Sequence, residues 1–143
     1  MPVAVKRVYE KLARADGTRV LVDRLWPRGL TKERAAVDAW LRDLAPSDDL
    51  RKWFHQRPEA WHSFRKSYLK ELAHPAASDA LEKLHHLANG RKRLTLLFAS
   101  RNEKHNNAVV LKDLLDGMRK PPTGTGPGAV KALRRQTKRM PRR

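Results

Sequence analysis

The run Leu94-Thr95-Leu96-Leu97-Phe98 limits what this chain can fold into more than any other feature. It has no polar side to turn to water, so the pattern predicts a strand covered on both faces, as in parallel sheets. Ser100-Arg101-Asn102-Glu103 follows at once with a capping-box pattern, a hydroxyl residue three positions ahead of a glutamate. The helix predicted from there turns Val110, Leu111, Leu114 and Leu115 inward. A buried strand, a sharp turn and a helix in succession form the repeating unit of an α/β domain.

The rest of the chain fits that unit. Val3–Tyr9 and Thr18–Asp23 are β-branched and read as strands. Asp16-Gly17 is a turn signal that would bring these two strands close together, though the loop is longer than a tight hairpin. Thr31 can cap a short helical turn, and Ala39–Leu44 leans towards a short strand stopped by Pro46. Ser47, followed by Asp48 and Asp49, marks a helix N-terminus, a hydroxyl cap with carboxylates at the positive end of the dipole. Pro58 suits the first turn of the next helix, where Trp61, Phe64, Tyr68 and Leu72 recur at helical spacing. A third helix is expected from near Ser78 to Asn89-Gly90. The expected fold class is therefore α/β, a small sheet of about four to five mostly parallel strands packed against helices. The expected divisions are residues 1–116 as the domain, 117–128 as a Pro/Gly linker and 129–143 as a basic tail, disordered or partly helical.

Charge points to the partner class. The formal net charge is +17, and residues 117–143 contain nine basic side chains and no acid, leaving about +8 on residues 1–116. Arg119, Lys120, Lys131, Arg134, Arg135, Lys138, Arg139, Arg142 and Arg143 form a tail suited to polyanions. DNA or RNA is the expected partner, bound electrostatically and without sequence preference, because the tail carries no base-reading motif. With no cysteine there are no disulfides, thiolate metal sites or cysteine nucleophiles. No membrane span and no secretory leader is read from the sequence, so the expected location is cytoplasmic. It gives no oligomeric state.

Two clusters carry the chemistry. Asp23, Arg24, Trp26 and Arg28 lie where the apolar strand ends, in LVDRLWPRG. In open α/β sheets the carboxyl ends of strands border the ligand crevice, and arginines there can hold phosphate or carboxylate in a bidentate grip. Arg101, Asn102, His105 and Asn106 crowd the start of the predicted last helix, where unpaired N–H groups suit an anion. If the two strands are parallel neighbours, both clusters meet at one mouth. A small anionic or nucleotide ligand would then sit among them, and in an enzyme Asp23 or His105 would be the acid/base group. The alternative is structural, with Asp23 pairing with a nearby arginine to lock the fold while Trp26 fills core. The other histidines lack metal-ligand spacing, so no metal is expected. Residues 1–116 hold only Gly17, Gly29 and Gly90, too few for a glycine-rich cofactor turn, so no cofactor is expected either.

Four blocks in order, VLVDRLWPRG, KERAAVDAWLRDLAPS, the Trp53–Leu72 aromatic pattern and LTLLFASRNEKHNNAVVLKDLL, resemble the YeaO-like family, the bacterial domain of unknown function numbered 488. The resemblance spans about residues 3–116. It implies a compact α/β domain and brings no established reaction. Asp23, Arg24, Trp26, Pro27, Arg28, Gly29, Arg101, His105 and Asn106 fall in its signature blocks, and the tail lies outside them.

Overall fold

The computed structural model describes residues 3–118. Within them β1 (Val3–Arg7), β2 (Thr18–Leu21), β3 (Ala39–Trp40) and β4 (Leu94–Phe98) form one sheet in the order β1-β4-β2-β3, every neighbouring pair parallel. The helices are α1 (Lys32–Ala35), α2 (Asp48–Gln56), α3 (Trp61–Leu72), α4 (Pro75–Ala88) and α5 (Asn107–Asp116). The nearly all-apolar β4 takes an interior position, with Leu94 between Val3 and Thr18 and Leu97 between Lys6 and Leu21. An interior strand is the one that both layers cover, which is what its composition requires.

This order corrects the expected closeness of the first two strands, because β4 separates them. Residues 8–17 leave the carboxyl end of β1 and return to the amino end of β2, through a 3-10 turn at Arg14–Asp16. The turn signal is real but works at the strand entry. Gly17 has φ 66°, and a Cβ there would lie 2.1 Å from the Arg93 carbonyl oxygen, which accepts the Thr18 N–H at 2.7 Å.

Strand alternation divides the interior. Val20, Val22, Leu94, Leu96 and Phe98 pack against Phe64, Tyr68, Leu81, Leu84, Val110, Leu111 and Leu114 of the long helices. On the opposite face Leu21 and Leu97 join Val8 and Ala35 in a smaller cluster. Beside it Asp16 binds Lys6 at 3.0 Å and Arg19 at 2.5 Å. Arg19, 2% exposed, also donates to the carbonyls of Ala35 and Ala36 at 2.8 and 3.0 Å. Its charge is thus consumed within the fold, as a buried guanidinium must be.

The helix starts show where local signals were outweighed. Thr31 and Ser47 cap as expected, accepting from the N–H groups of Arg34 and Leu50 at 3.2 Å each. Glu71 accepts from the Ser47 N–H and hydroxyl at 2.8 and 2.6 Å, pinning α2 to α3. Pro58 lies in the turn before α3 rather than in its first turn. The third predicted helix starts at Pro75, ahead of Ser78, since proline lacks only an N–H that a helix start leaves unpaired anyway. Ser78 is instead buried, its hydroxyl donating to the Leu72 carbonyl at 3.2 Å. Ala39–Leu44 is a strand for two residues and then a 3-10 turn. Among the described residues no helix is long and apolar enough to cross a membrane.

Candidate functional site

Because β2 and β4 are parallel neighbours, their carboxyl ends open on the same side, and a cleft of about 670 Å³ lies there. Asp23, Arg24, Trp26, Arg28, Arg101, Asn102, His105 and Asn106 all line it, so the geometry brings the two sequence clusters together. The nine tail residues, Arg119 to Arg143, lie outside the described residues.

Asp23 is held from behind. Its Oδ2 accepts the Ala99 N–H at 2.9 Å, and its Oδ1 accepts the Asn107 side-chain amide at 3.1 Å. That amide also donates to the Val22 carbonyl at 2.9 Å, and the Trp40 indole N–H donates to the Asp23 carbonyl at 2.7 Å. Burial raises the Asp23 pKa above the ordinary carboxylate value, against the opposing pull of the Ala99 N–H, the Asn107 amide and the Arg51 charge. Asp16, Asp48 and Asp116 pair with cations at 4.0 Å or less, whereas the partners seen at the Asp23 side chain are neutral. The fold-locking ion pair weighed for Asp23 therefore exists around Asp16, at the other end of β2.

The Trp26 loop is stiffened by its own contacts. The Trp26 indole N–H donates to the Leu30 carbonyl at 2.7 Å, and its ring meets Trp40 edge-on at 5.5 Å. Trp26 thus supports the smaller cluster while also lining the cleft. The Arg28 carbonyl accepts the Tyr9 hydroxyl at 2.9 Å, leaving its guanidinium exposed at the rim. Arg24 is loosely held. Its Nη2 reaches the Pro46 carbonyl at 3.4 Å, and its Nε is buried without a hydrogen-bond partner, 4.0 Å from Asp48. Asp48 also lies 3.6 Å from Arg51, another cleft residue.

The second cluster is built differently from the expectation. The last helix starts at Asn107, and its cap is Asn106, which accepts the Val109 N–H at 3.0 Å, so the capping box at Ser100 is corrected. Asn102 accepts the N–H groups of Lys104 and His105 at 3.2 and 3.0 Å, and Ser100 accepts the Asn102 N–H at 3.1 Å. Those turns satisfy the donors that a helix would otherwise use. Arg101, Asn102 and His105 therefore sit in a loop ahead of the helix, not on its first turns. Asn102 and Asn106 still meet, through an Asn106 side-chain bond to the Asn102 carbonyl at 2.8 Å. The His105 ring stacks on Trp61 at 4.5 Å and 15°.

Several cleft residues were not anticipated. Phe54 and Phe64, stacked at 4.3 Å, form an aromatic wall, and Tyr9, Arg51 and His55 also line the space. Phe64 and Tyr68, part of the stripe at helical spacing on α3, are buried in the core, where Tyr68 donates to the Leu44 carbonyl. The same stripe has an end, though, and that end faces the cleft. Asn107 was signalled only by its place directly after the cap, where a buried polar side chain needs partners. Among the described residues no three His, Asp or Glu side chains gather as a metal site.

Residues 2–123 match the family described as "Inactive DUF488-N3 subclade". The chain belongs to that family. It is also similar to an uncharacterised protein of Mycobacterium tuberculosis, 44% identical over 115 residues, which covers 80% of this chain and 94% of that one. The uncharacterised protein YeaO of Escherichia coli is 42% identical over 115 residues, covering 80% and 97%. No solved structure is a significant match. In this DUF488-N3 chain the matched span includes both sides of the cleft, the Asp23 loop and the Arg101–Asn107 loop.

Proposed function

We propose that this protein is a non-catalytic binder of phosphate-bearing ligands, holding a nucleotide in the cleft and nucleic acid, non-specifically, on its basic tail. The observation that carries the reading is the composition of the cleft: an aromatic wall at Phe54 and Phe64, the arginines 24, 28, 51 and 101, and a single carboxylate, Asp23. A planar base fits the wall and an anionic group fits the arginines, which bind phosphate through paired N–H donors. Arg28 and Arg101 are exposed, so their charge is available to a ligand, and the exposed Arg51 is shared with Asp48 at 3.6 Å. Binding is favoured over chemistry by the word "inactive" in the family description. The tail adds nine positive charges without an acid.

A thermal-shift series with mononucleotides and inorganic phosphate tests the cleft. Nucleotides are expected to raise the melting temperature more than phosphate does, and to be recovered chemically unchanged. Arg101→Ala, an exposed position, should melt like the wild type but respond less. The absence of any nucleotide response would overturn the reading. For the tail, binding of DNA and RNA by the full chain should weaken with salt at a logarithmic slope of about −5, given about six phosphate contacts at −0.9 each. Salt-insensitive binding would remove the tail from the account.

A further inference from the structure

We infer that Asp23 reads the base, and that the cleft selects a guanine-type edge, two adjacent N–H donors, over other bases. The inference rests on the nucleotide reading and deepens it. Four arginines and one carboxylate line the cleft, and they do not occupy equivalent places. Arg28, Arg51 and Arg101 are exposed, whereas Asp23 is half-buried where β2 ends, beside the buried Asn106 and Asn107. An anionic group entering this space is drawn to the arginines and repelled by Asp23. Whatever part of the ligand reaches Asp23 must therefore offer donors.

The carboxylate is prepared for that task. The Ala99 N–H and the Asn107 amide each take one lone pair, from different oxygens, at 2.9 and 3.1 Å. Asn107 is itself fixed by the Val22 carbonyl, so the group has one orientation. A carboxylate offers about four acceptor positions, so each oxygen keeps one for a ligand. Both partners, the Ala99 N–H and the Asn107 amide, are neutral, and the Arg51 charge acts on the carboxylate through space.

Base chemistry then decides. Guanine presents its ring N1–H and its exocyclic amine side by side, a donor pair matched to the two oxygens of one carboxylate. Hypoxanthine keeps the ring N–H and lacks the amine. Xanthine replaces the amine with a carbonyl, which a carboxylate repels. Adenine and cytosine place an acceptor nitrogen beside their single amine. Reading a base by its pairing edge while aromatic rings flank its faces is a general solution, and Phe54 supplies such a ring here.

The test is calorimetric titration of the full chain with GMP, IMP, XMP and AMP at one salt concentration and neutral pH. GMP should bind tightest, with IMP weaker by about tenfold or more, the equivalent of one hydrogen bond to a charged acceptor. XMP and AMP should be weaker still. Asp23→Asn replaces one acceptor with a donor and should bring GMP and IMP within about twofold of each other while IMP binding persists. If that variant fails to fold, the wild-type series decides alone. Equal binding of all four nucleotides would overturn the role of Asp23 and leave the nucleotide reading intact. So would a GMP preference that survives Asp23→Asn. Failure of every nucleotide to bind would remove the nucleotide reading and this inference with it.

Discussion

Asn107→Ala tests the join between fold and cleft. The side-chain amide of Asn107 donates to the Val22 carbonyl at 2.9 Å and to Asp23 Oδ1 at 3.1 Å, and both Val22 and Asn107 are buried. Leaving a buried carbonyl without its donor costs about 1–3 kcal/mol, and a bond to a charged acceptor contributes about 1.5–3. Alanine returns about 0.5 kcal/mol because it is the better helix former. The expected net loss is about 2–5 kcal/mol, a large share of the roughly 5–15 kcal/mol that holds a domain together. Urea denaturation would read it as a lower midpoint at unchanged slope. Lys112→Ala is the control, because its 2.7 Å pair with Asp116 is solvent-facing and should cost about 0.5 kcal/mol or less. The Asn107 amide also pulls the Asp23 pKa down against burial, so NMR titration of the Asp23 carboxyl in the variant should show it raised further. A stability loss below about 1 kcal/mol, with Asp23 titrating as in the wild type, would refute the claim that Asn107 holds the carboxylate.

Three further outcomes are expected. Gly17→Ala should cost about 3 kcal/mol or more, since strain at φ 66° adds to a 2.1 Å approach to backbone, whereas Gly29→Ala, at φ 84° with open space around it, should cost about 1; equal losses by urea denaturation would contradict the Arg93 contact. For Asp16, burial raises the pKa, but the Ala13 N–H, Lys6 and Arg19 outweigh it and the net value lies below the ordinary 3.8; its stabilisation is therefore full above that value and is lost as pH falls through the folded-state pKa. Asp23 has the opposite sign, since the folded state binds its proton more tightly, so stability falls as pH rises from 3.8 through the raised value; in urea midpoints measured against pH, Asp16→Asn should flatten the acid limb and Asp23→Asn the opposing slope. Trp61→Leu keeps an apolar side chain but removes the 4.5 Å stack on His105, along with ring contacts to Phe54 and Phe64, so amide exchange should quicken across residues 100–106 and stay unchanged in β4; unaltered exchange in the loop would show that the stack does not order it.

How much of this was legible depended on how local each cause is. Leu94–Phe98 announced an interior parallel strand because a run without a polar side has few other places to go. Thr31 and Ser47 were readable because a cap needs only the residue and its next turn. Asp16-Gly17 was readable as a turn but not as a connection, because nothing in two residues says which strand will fill the space between β1 and β2. The answer lay in β4, far along the chain. Ser100-Arg101-Asn102-Glu103 misled for another reason. Its polar side chains are equally able to cap a helix or to close turns, and Asn102 does the latter, moving the helix start to Asn107. The residues of the cleft survived that error because the loop still projects from the end of β4.

The two aspartates that flank β2 show why residue type alone could not separate structure from site. Asp16 precedes the strand and Asp23 follows it, and each has arginines close by in the sequence, Arg14 and Arg19 for one and Arg24 and Arg28 for the other. At the amino end the pairing is complete. Arg19 spends its donors on Asp16, Ala35 and Ala36 and is buried, so nothing there remains for a ligand. At the carboxyl end the partners are backbone N–H and a neutral amide instead, and the arginines nearby point to solvent or to Asp48. A carboxylate satisfied by neutral donors does not offset the exposed Arg28 and Arg101, while Asp48 partly offsets Arg24 and Arg51. On the proposed reading, that charge draws the anionic end of the ligand, and Asp23 keeps lone pairs for the other end. Bringing an arginine into contact with Asp23 would abolish both properties at once without disturbing the Asp16 cluster, which lies at the opposite end of β2.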